Sequence, residues 1–386
     1  MRIGITCYPT YGGSGAVATE LGIELAERGH EVHFVSYQQP FRLTSFHERV
    51  FFHEVEMEPY PLFEYPPYSL ALAVSMHSVA RKHELEVFHV HYAIPHATTG
   101  WIAREMLQAE GLDIKIITTL HGTDITLVGQ DPQFWSITKF SIEHSDGLTA
   151  VSRYLRDETH AAFDCPTCDI RVIPNFINPD IYNREEYLCH RASLAPAGEK
   201  IVMHISNFRK VKRVEDVVRV FAGIGDAVPA KLVFIGDGPE RPHAAALAEA
   251  LGIQDQVVFL GKLESVAELL SCADLFLLPS EQESFGLVAL EASASGVPVI
   301  ATSGSGIGEV VEDGVTGYLH PVGEVDAMAE SARRLLSDYS EWTRMSSAGR
   351  RLAVERFSAD QVVPMYEALY DEVLSGQASS PEAPGA

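Results

Sequence analysis

Short apolar runs alternate with longer amphipathic stretches through most of the chain, and this alternation limits the fold more than any other feature. A strand covered on both faces needs a near-continuous apolar run, and two parallel neighbours need a crossover long enough to hold a helix. The runs Arg2 to Cys7, Glu31 to Ser36, Val87 to His91, Ile114 to Thr119 and Gly147 to Val151 read as strands of one parallel sheet. A helix from Ala16 to Arg28 ends at Gly29, where a glycine suits the turn out of a helix. At Ile173-Pro-Asn-Phe-Ile-Asn-Pro-Asp180, two prolines and two asparagines break the pattern. It restarts with Lys200 to Ile205, Ala230 to Ile235, Gln256 to Leu260, Leu275 to Leu278 and Pro298 to Ala301, followed by helical segments at Ala327 to Leu336, Glu341 to Phe357 and Ala359 to Leu374. The expected class is therefore α/β, with two Rossmann-like halves. Residues 1–172 form the first and 173–358 the second; helix 359–374 is expected to pack back on the first, and 376–386 reads as a disordered tail.

A chain of 386 residues exceeds one ordinary core, and 46% apolar residues suffice to fill two. No run of about 18 apolar residues occurs, and Met1-Arg-Ile-Gly-Ile-Thr enters a strand without the apolar core of a signal peptide. A cytoplasmic protein with no membrane partner is expected. With 29 basic and 53 acidic residues the net charge is −24, the wrong sign for binding a phosphate backbone, so nucleic acid is an unsuitable partner. Homo-oligomerisation is compatible with the sequence. Five cysteines do not make a disulfide framework at this length. Cys165-Pro-Thr-Cys168 sits in a proline-containing connection rather than at a helix start, and reads as a reduced thiol pair rather than a redox or metal half-site; Cys7, Cys189 and Cys272 read as structural.

Ligands of open parallel sheets bind beyond the carboxyl ends of the strands, so the segments just past each strand carry the functional signal. After Leu275 to Pro279 comes Glu283-Ser-Phe-Gly-Leu-Val-Ala-Leu-Glu291, two carboxylates around a helix start. Ionised carboxylates accept paired hydrogen bonds from vicinal hydroxyls, and the amides near Phe285, Gly286 and Leu287 suit a phosphate. The plainer alternative is a helix with an acidic first turn and one solvated glutamate. Tyr11-Gly12-Gly13-Ser14-Gly15 opens the first helix with amides able to face an anion, although it lacks a dinucleotide fingerprint. Asn207-Phe-Arg209-Lys210-Val-Lys212-Arg213 places four cations just past a strand of an acidic chain, against the dipole of the following helix, which favours an anion site. Gly236-Asp-Gly-Pro239 and Gly304-Ser-Gly-Ile-Gly308 follow two further strands. Together these loops suit a nucleotide diphosphate sugar.

The Gly12 to Gly15 loop, the basic cluster, Gly236 to Pro239 and the Glu283 to Glu291 block resemble the retaining family-4 glycosyltransferases of the GT-B fold, over nearly the whole chain. That fold has two Rossmann-like domains whose parallel sheets face an inter-domain cleft. More narrowly, Ile5 to Pro9, Ala18 to Leu21, Gly29 to His33, Pro40 to Leu43, His89 to Ala93, Thr119 to Asp124 and His204 to Arg213 look like the members that act in the bacillithiol pathway. The resemblance implies transfer of GlcNAc from UDP-GlcNAc to L-malate with retention at the anomeric carbon. UDP-GlcNAc is then a co-substrate, and neither a cofactor nor a metal is expected.

By the same resemblance Glu291 takes the uridine ribose, Glu283 the sugar hydroxyls, and Lys212 the diphosphate. The family's arginine five residues earlier is Asn207 here, and Arg209 is assigned to the diphosphate on charge. Gly13 and Gly15 join the donor set. Ser14, Tyr92, Thr119 and Arg153 are expected around malate, where a guanidinium fork suits a dicarboxylate. His121 is placed beside the reacting sugar, so the catalytic group expected is His121, Glu283, Arg209 and Lys212. The chain has no Asp-x-Asp motif, consistent with metal-free transfer. An NAD-dependent dehydrogenase needs a single fingerprint, which distributed loops do not supply. A sugar-binding protein leaves the basic cluster unexplained. The nearest alternative is a family-4 enzyme with another small anionic acceptor, such as an inositol phosphate.

Overall fold

Thirteen strands form two sheets in the computed structural model, which describes residues 1–10, 12–57, 66–187, 189–225 and 228–376. The expected tail lies outside these residues apart from Gly376, as does Tyr11. The chain divides into a unit of Met1–Pro174 with Val362–Ala386 and a unit of Asn175–Gln361.

In the first unit the strands are β1 (Arg2–Thr6), β2 (Glu31–Ser36), β3 (Val50–Glu54), β4 (Val87–His91), β5 (Lys115–Leu120), β6 (Gly147–Ala150) and β7 (Ile170–Val172). They pair in the order β3-β2-β1-β4-β5-β6-β7, all parallel. In the second unit β8 (Lys200–Ile205), β9 (Ala230–Ile235), β10 (Val257–Phe259), β11 (Leu275–Leu278), β12 (Val299–Thr302) and β13 (Gly317–His320) pair in the order β10-β9-β8-β11-β12-β13, again all parallel. The α/β class and the two Rossmann-like sheets match the reading of the sequence. β3, β7 and β13 are additions to it.

Burial explains why these runs are strands. Ile3 and Ile5 of β1 and Leu275 to Leu278 of β11 are at most 1% exposed, so both faces of the central strands are covered by helices. In the first unit the helix Tyr68–His83 sets Leu72, Met76 and Val79 against Val35, Phe88 and Val90. In the second, the helix Val214–Ile224 sets Val214, Val217, Val218 and Phe221 against Val202, Leu232 and Phe234. Each such side chain contributes about 1.5–3 kcal/mol on leaving water. The helix Ala359–Leu374 ties into the first unit: Glu367 accepts from His30, Glu372 from Arg171, and Tyr370 Oη lies 2.7 Å from His89 Nδ1.

The cysteines correct one expectation. Cys165 and Cys168 are joined as a disulfide rather than standing as a reduced pair, and Cys189 is joined to Cys272, with Cα separations of 5.5 and 5.1 Å. The turn Cys165–Cys168, closed by a hydrogen bond from the Cys168 amide to the Cys165 carbonyl, brings the first pair into reach. Cys7 is free and buried, and burial pushes its thiol up to about 12, so it packs as an inert group.

Candidate active site

Both sheets reverse strand order once, between β1 and β4 in the first unit and between β8 and β11 in the second. At such a point the loops after the two strands diverge to opposite faces and leave a crevice, the usual ligand position in open α/β sheets. Most of the residues singled out in the sequence follow strands at or next to these two points.

In the second unit, β8 ends in a turn that positions its cations. His204 donates from Nδ1 to the Leu277 carbonyl at 2.8 Å, which leaves Nε2 to accept from Ser206 Oγ at 2.8 Å; Ser206 Oγ in turn accepts the Phe208 amide at 3.2 Å. Burial holds the His204 pKa down to about 4, so this chain stays neutral. Phe208 and Arg213 sit at φ 41° and 48°, a left-handed bend that costs a non-glycine residue energy and is held here by packing of the fully buried Phe208. Gly238 permits the loop after β9 to press against this turn, because a Cβ there would lie 2.1 Å from the Asn207 carbonyl oxygen.

Across the switch point, Lys212 Nζ donates to Glu283 Oε1 at 2.6 Å. The main chains also meet, the Glu281 amide donating to the Val211 carbonyl at 2.8 Å. Glu283 is 9% exposed, so this is a largely desolvated pair, and removing one partner leaves the other costly to bury. The glycine loop after β12 braces Glu283 from behind: Gly306 donates its amide to the Glu283 carbonyl at 2.9 Å, and Ser305 Oγ accepts the Glu283 amide at 3.3 Å. A Cβ on Gly306 would stand 2.1 Å from the Ser284 carbonyl oxygen. Gly304 to Gly308 therefore supports the Glu283 loop.

Gly286, at φ 92°, begins the helix Leu287–Ala294, whose first amides have no intrahelical acceptors. Phe285 is buried and stacks edge-on against Phe357, which fixes the loop and leaves its main chain, not its ring, for a ligand. Glu291 points inward at 2% exposure and accepts from Tyr182 Oη at 2.6 Å. Arg209 is exposed, and its guanidinium has no partner among the described residues. Asn207, two residues before it, keeps a buried Oδ1 without a hydrogen-bond partner. Asn207, Arg209 and Lys212 thus share one turn.

In the first unit the helix Gly13–Glu27 starts directly after β1. Gly15 is needed there, since a Cβ would stand 2.7 Å from the Tyr8 carbonyl oxygen. Ser14 Oγ accepts from Tyr92 Oη at 2.8 Å, a bond spanning the β1/β4 switch point. The Tyr92 ring packs 5.2 Å from His121. His121 Nε2 lies 2.8 Å from His91 Nδ1, and burial lowers its pKa to about 3, so the imidazole is neutral at pH 7. Arg153 is exposed and opens the helix Arg153–Phe163, capped by Ser152, whose Oγ accepts the Leu155 amide at 3.0 Å.

Thr119 is placed inside the unit. Its hydroxyl is fully buried, 2.7 Å from His89 Nε2 and 2.7 Å from Thr149 Oγ1, as part of an internal polar network. Its carbonyl accepts the Tyr92 amide at 2.9 Å, and Thr119 therefore acts on the site by holding Tyr92.

Four groups near these loops escaped the sequence reading as individual residues. Asp124 takes the amides of Ala93 and Gly122 at 2.9 and 3.0 Å and pins the turn after β5 to the turn after β4; burial raises its pKa to about 6. His96 donates from Nδ1 to the His91 carbonyl at 2.6 Å. Ser305 and Tyr182 hold the two glutamates. The signal for Asp124 was present in Thr119-Leu-His-Gly-Thr-Asp124, an aspartate two residues past a glycine turn, where a carboxylate caps amides.

Two Rossmann-like units of this kind are the architecture of GT-B glycosyltransferases. Anabaena HepE, solved in complex with UDP and glucose, superposes with a TM-score of 0.79 at 19% identity, covering 96% of this chain and 99% of its own. The family model "Glycosyltransferase Family 4" matches residues 11–181 and "Glycosyl transferases group 1" matches residues 189–352. The N-acetyl-alpha-D-glucosaminyl L-malate synthase of Bacillus anthracis is 49% identical over 97% of this chain and 97% of its own length. The D-inositol 3-phosphate glycosyltransferase of Xylanimonas cellulosilytica is 28% identical over 72% of this chain and 69% of its own length. The chain belongs to the family-4 glycosyltransferases of the GT-B fold. Among the described residues no helix is long and apolar enough to cross a membrane.

Proposed function

We propose that the chain transfers GlcNAc from UDP-GlcNAc to the hydroxyl of L-malate, with retention of the donor's anomeric configuration. The observation that carries this reading is the 49% identity, end to end, with a synthase of N-acetyl-alpha-D-glucosaminyl L-malate. The Lys212–Glu283 pair, on loops braced by glycines at a switch point, supports it.

In this reading Glu291 accepts from the ribose hydroxyls and Glu283 from the sugar hydroxyls. Lys212, Arg209 and the amides at Phe285, Gly286 and Leu287 meet the diphosphate. As the bond between the anomeric carbon and the phosphate oxygen breaks, negative charge grows on the departing UDP, and fixed cations and amides stabilise it without reorganising. The malate oxygen bonds to the anomeric carbon on the same face, and its proton passes to the departing phosphate oxygen, so no carboxylate nucleophile is required. Ser14, Tyr92 and Arg153 hold malate, Arg153 through a two-pronged bond to one carboxylate. Gly13 and Gly15 belong to the donor set in this reading. Neutral His121 serves the sugar as a hydrogen-bonding group. The transfer needs no cofactor or metal, since protein cations carry the charge.

UDP release from UDP-GlcNAc is the test, measured with L-malate, other dicarboxylates and inositol phosphates as acceptors. Release that depends on L-malate is expected. Release that depends on an inositol phosphate and ignores malate would replace this reading by the alternative.

A further inference from the structure

A second chemical cluster lies at the β3 edge of the first sheet, whereas Ser14, Tyr92 and His121 follow β1, β4 and β5. His33 is on β2 opposite Phe51, and His53 is two residues beyond Phe51 on β3. Side chains alternate along strands, so His33 and His53 face the same side of the sheet. The helix Tyr68–His83 packs on that unit's core and ends with His83 beside them. The ring centroids of His83 lie 4.4 Å from His33 and 5.1 Å from His53.

The nitrogens are arranged as donors to a common point. One ring nitrogen from each of His33, His53 and His83 lies within 4.8 Å of the others. His33 Nδ1 and His53 Nε2 are 2.9 Å apart. His33 Nε2 is 2.9 Å from Glu31 Oε1, and since a carboxylate only accepts, the proton sits on Nε2 and the lone pair on Nδ1. His83 Nε2 is buried without a hydrogen-bond partner. Phe51, stacked 4.9 Å from His33, shields one side.

We propose that His33, His53 and His83 form a binding site for a zinc-like divalent metal, with Glu31 orienting His33 through its Nε2–H and a water in the fourth position. Three imidazoles on a tetrahedral ion are separated by about 3.3 Å, given bonds of about 2.0–2.1 Å. That spacing lies between the 2.9 Å that separates the His33 and His53 nitrogens and the 4.8 Å within which all three lie. A carboxylate on the far nitrogen of a ligating histidine fixes the tautomer and strengthens the ligand. All-nitrogen ligation selects zinc, copper or nickel over magnesium and calcium. The ion ties the edge strand β3 and the end of the helix Tyr68–His83 to β2, a structural role separate from transfer. The site departs from the expectation that the chain holds no metal. It does not rest on the proposed substrates.

Tag-free, chelator-stripped protein titrated with zinc by calorimetry tests this, with cobalt as a spectroscopic probe of tetrahedral nitrogen ligation. One equivalent bound per chain is expected, with at least tenfold weaker binding in His53→Gln and in His83→Gln and about tenfold weaker binding in Glu31→Gln. Zinc should also raise the melting temperature of the wild type and not that of the His53→Gln/His83→Gln double variant. Circular dichroism verifies that these variants fold. The half-buried group Glu215, Glu240 and His243 is the control, and His243→Gln should leave the titration unchanged. No stoichiometric uptake by the wild type, or uptake unchanged in the double variant, overturns the proposal.

Discussion

Acidification should destabilise this protein above the pH at which ordinary carboxylates titrate. His204, His89, His96 and His121 have native pKa values of about 4, 3, 4 and 3 against 6.5 for the free side chain, with burial the main cause in each. A histidine with a depressed native pKa stays neutral in the fold while the unfolded chain takes up its proton, so its contribution is present above pH 6.5 and is lost as pH falls below it. At pH 5 each independent site of this kind forfeits about 2 kcal/mol. His204 is in one unit and the other three are neighbours in the other, so His204 and a single site from the three set a lower bound on the loss. Asp124 opposes them: with its pKa raised from 3.8 to about 6, the native acid is protonated first, which returns about 1.4 kcal/mol between pH 7 and pH 5. The net loss is at least about 2.5 kcal/mol. Urea unfolding at pH 7 and pH 5 in the presence of a chelator, followed by tryptophan fluorescence and circular dichroism, measures it. A lower midpoint at pH 5 is expected, and His204→Asn should flatten the dependence. Equal midpoints, or a more stable protein at pH 5, would refute the reasoning.

Three further outcomes follow from the donor loops. Glu291→Gln should weaken UDP binding in calorimetry, whereas Glu283→Gln should spare UDP and suppress transfer; equal loss of UDP affinity in both would contradict their assigned roles. Lys212→Ala and Arg209→Ala should each slow transfer at least tenfold, about 1.4 kcal/mol of barrier, and an active Arg209→Ala beside an inactive Asn207→Ala would move the diphosphate role to Asn207. Gly306→Ala should cost about 1–3 kcal/mol of stability and lower transfer, because its methyl group meets the Ser284 carbonyl, while Gly308→Ala, with open space around its Cβ, should be silent in thermal melts and assays.

The central strands were legible because both their faces are covered, which forces an apolar run long enough to see. Glu31–Ser36, Val87–His91, Lys200–Ile205, Ala230–Ile235 and Leu275–Leu278 were read to the residue. β3, β7 and β13 were not, for they lie at sheet edges, and Val50–Glu54, Val-Phe-Phe-His-Glu, has no buried residue. The loops past the strands were legible as chemistry, since cations or carboxylates gathered beyond a strand end have few structural reasons to be there. Side-chain direction was not. Thr119 looked available in the sequence, but its hydroxyl turns towards His89 and Thr149. Glu291 is held by Tyr182, 109 positions away, a partner that no local pattern announces. The cluster of His33, His53 and His83 likewise depends on strand pairing and helix packing that spacing alone does not give.

Product analysis is the decisive measurement: incubation with UDP-GlcNAc and L-malate, followed by mass spectrometry and by the proton coupling at the anomeric carbon. One GlcNAc on malate in the α configuration is expected, formed in equal amount with UDP, and a markedly higher KM for malate in Arg153→Lys with that for UDP-GlcNAc nearly unchanged. A β linkage, UDP released without a malate adduct, or an adduct formed only with an inositol phosphate would contradict it.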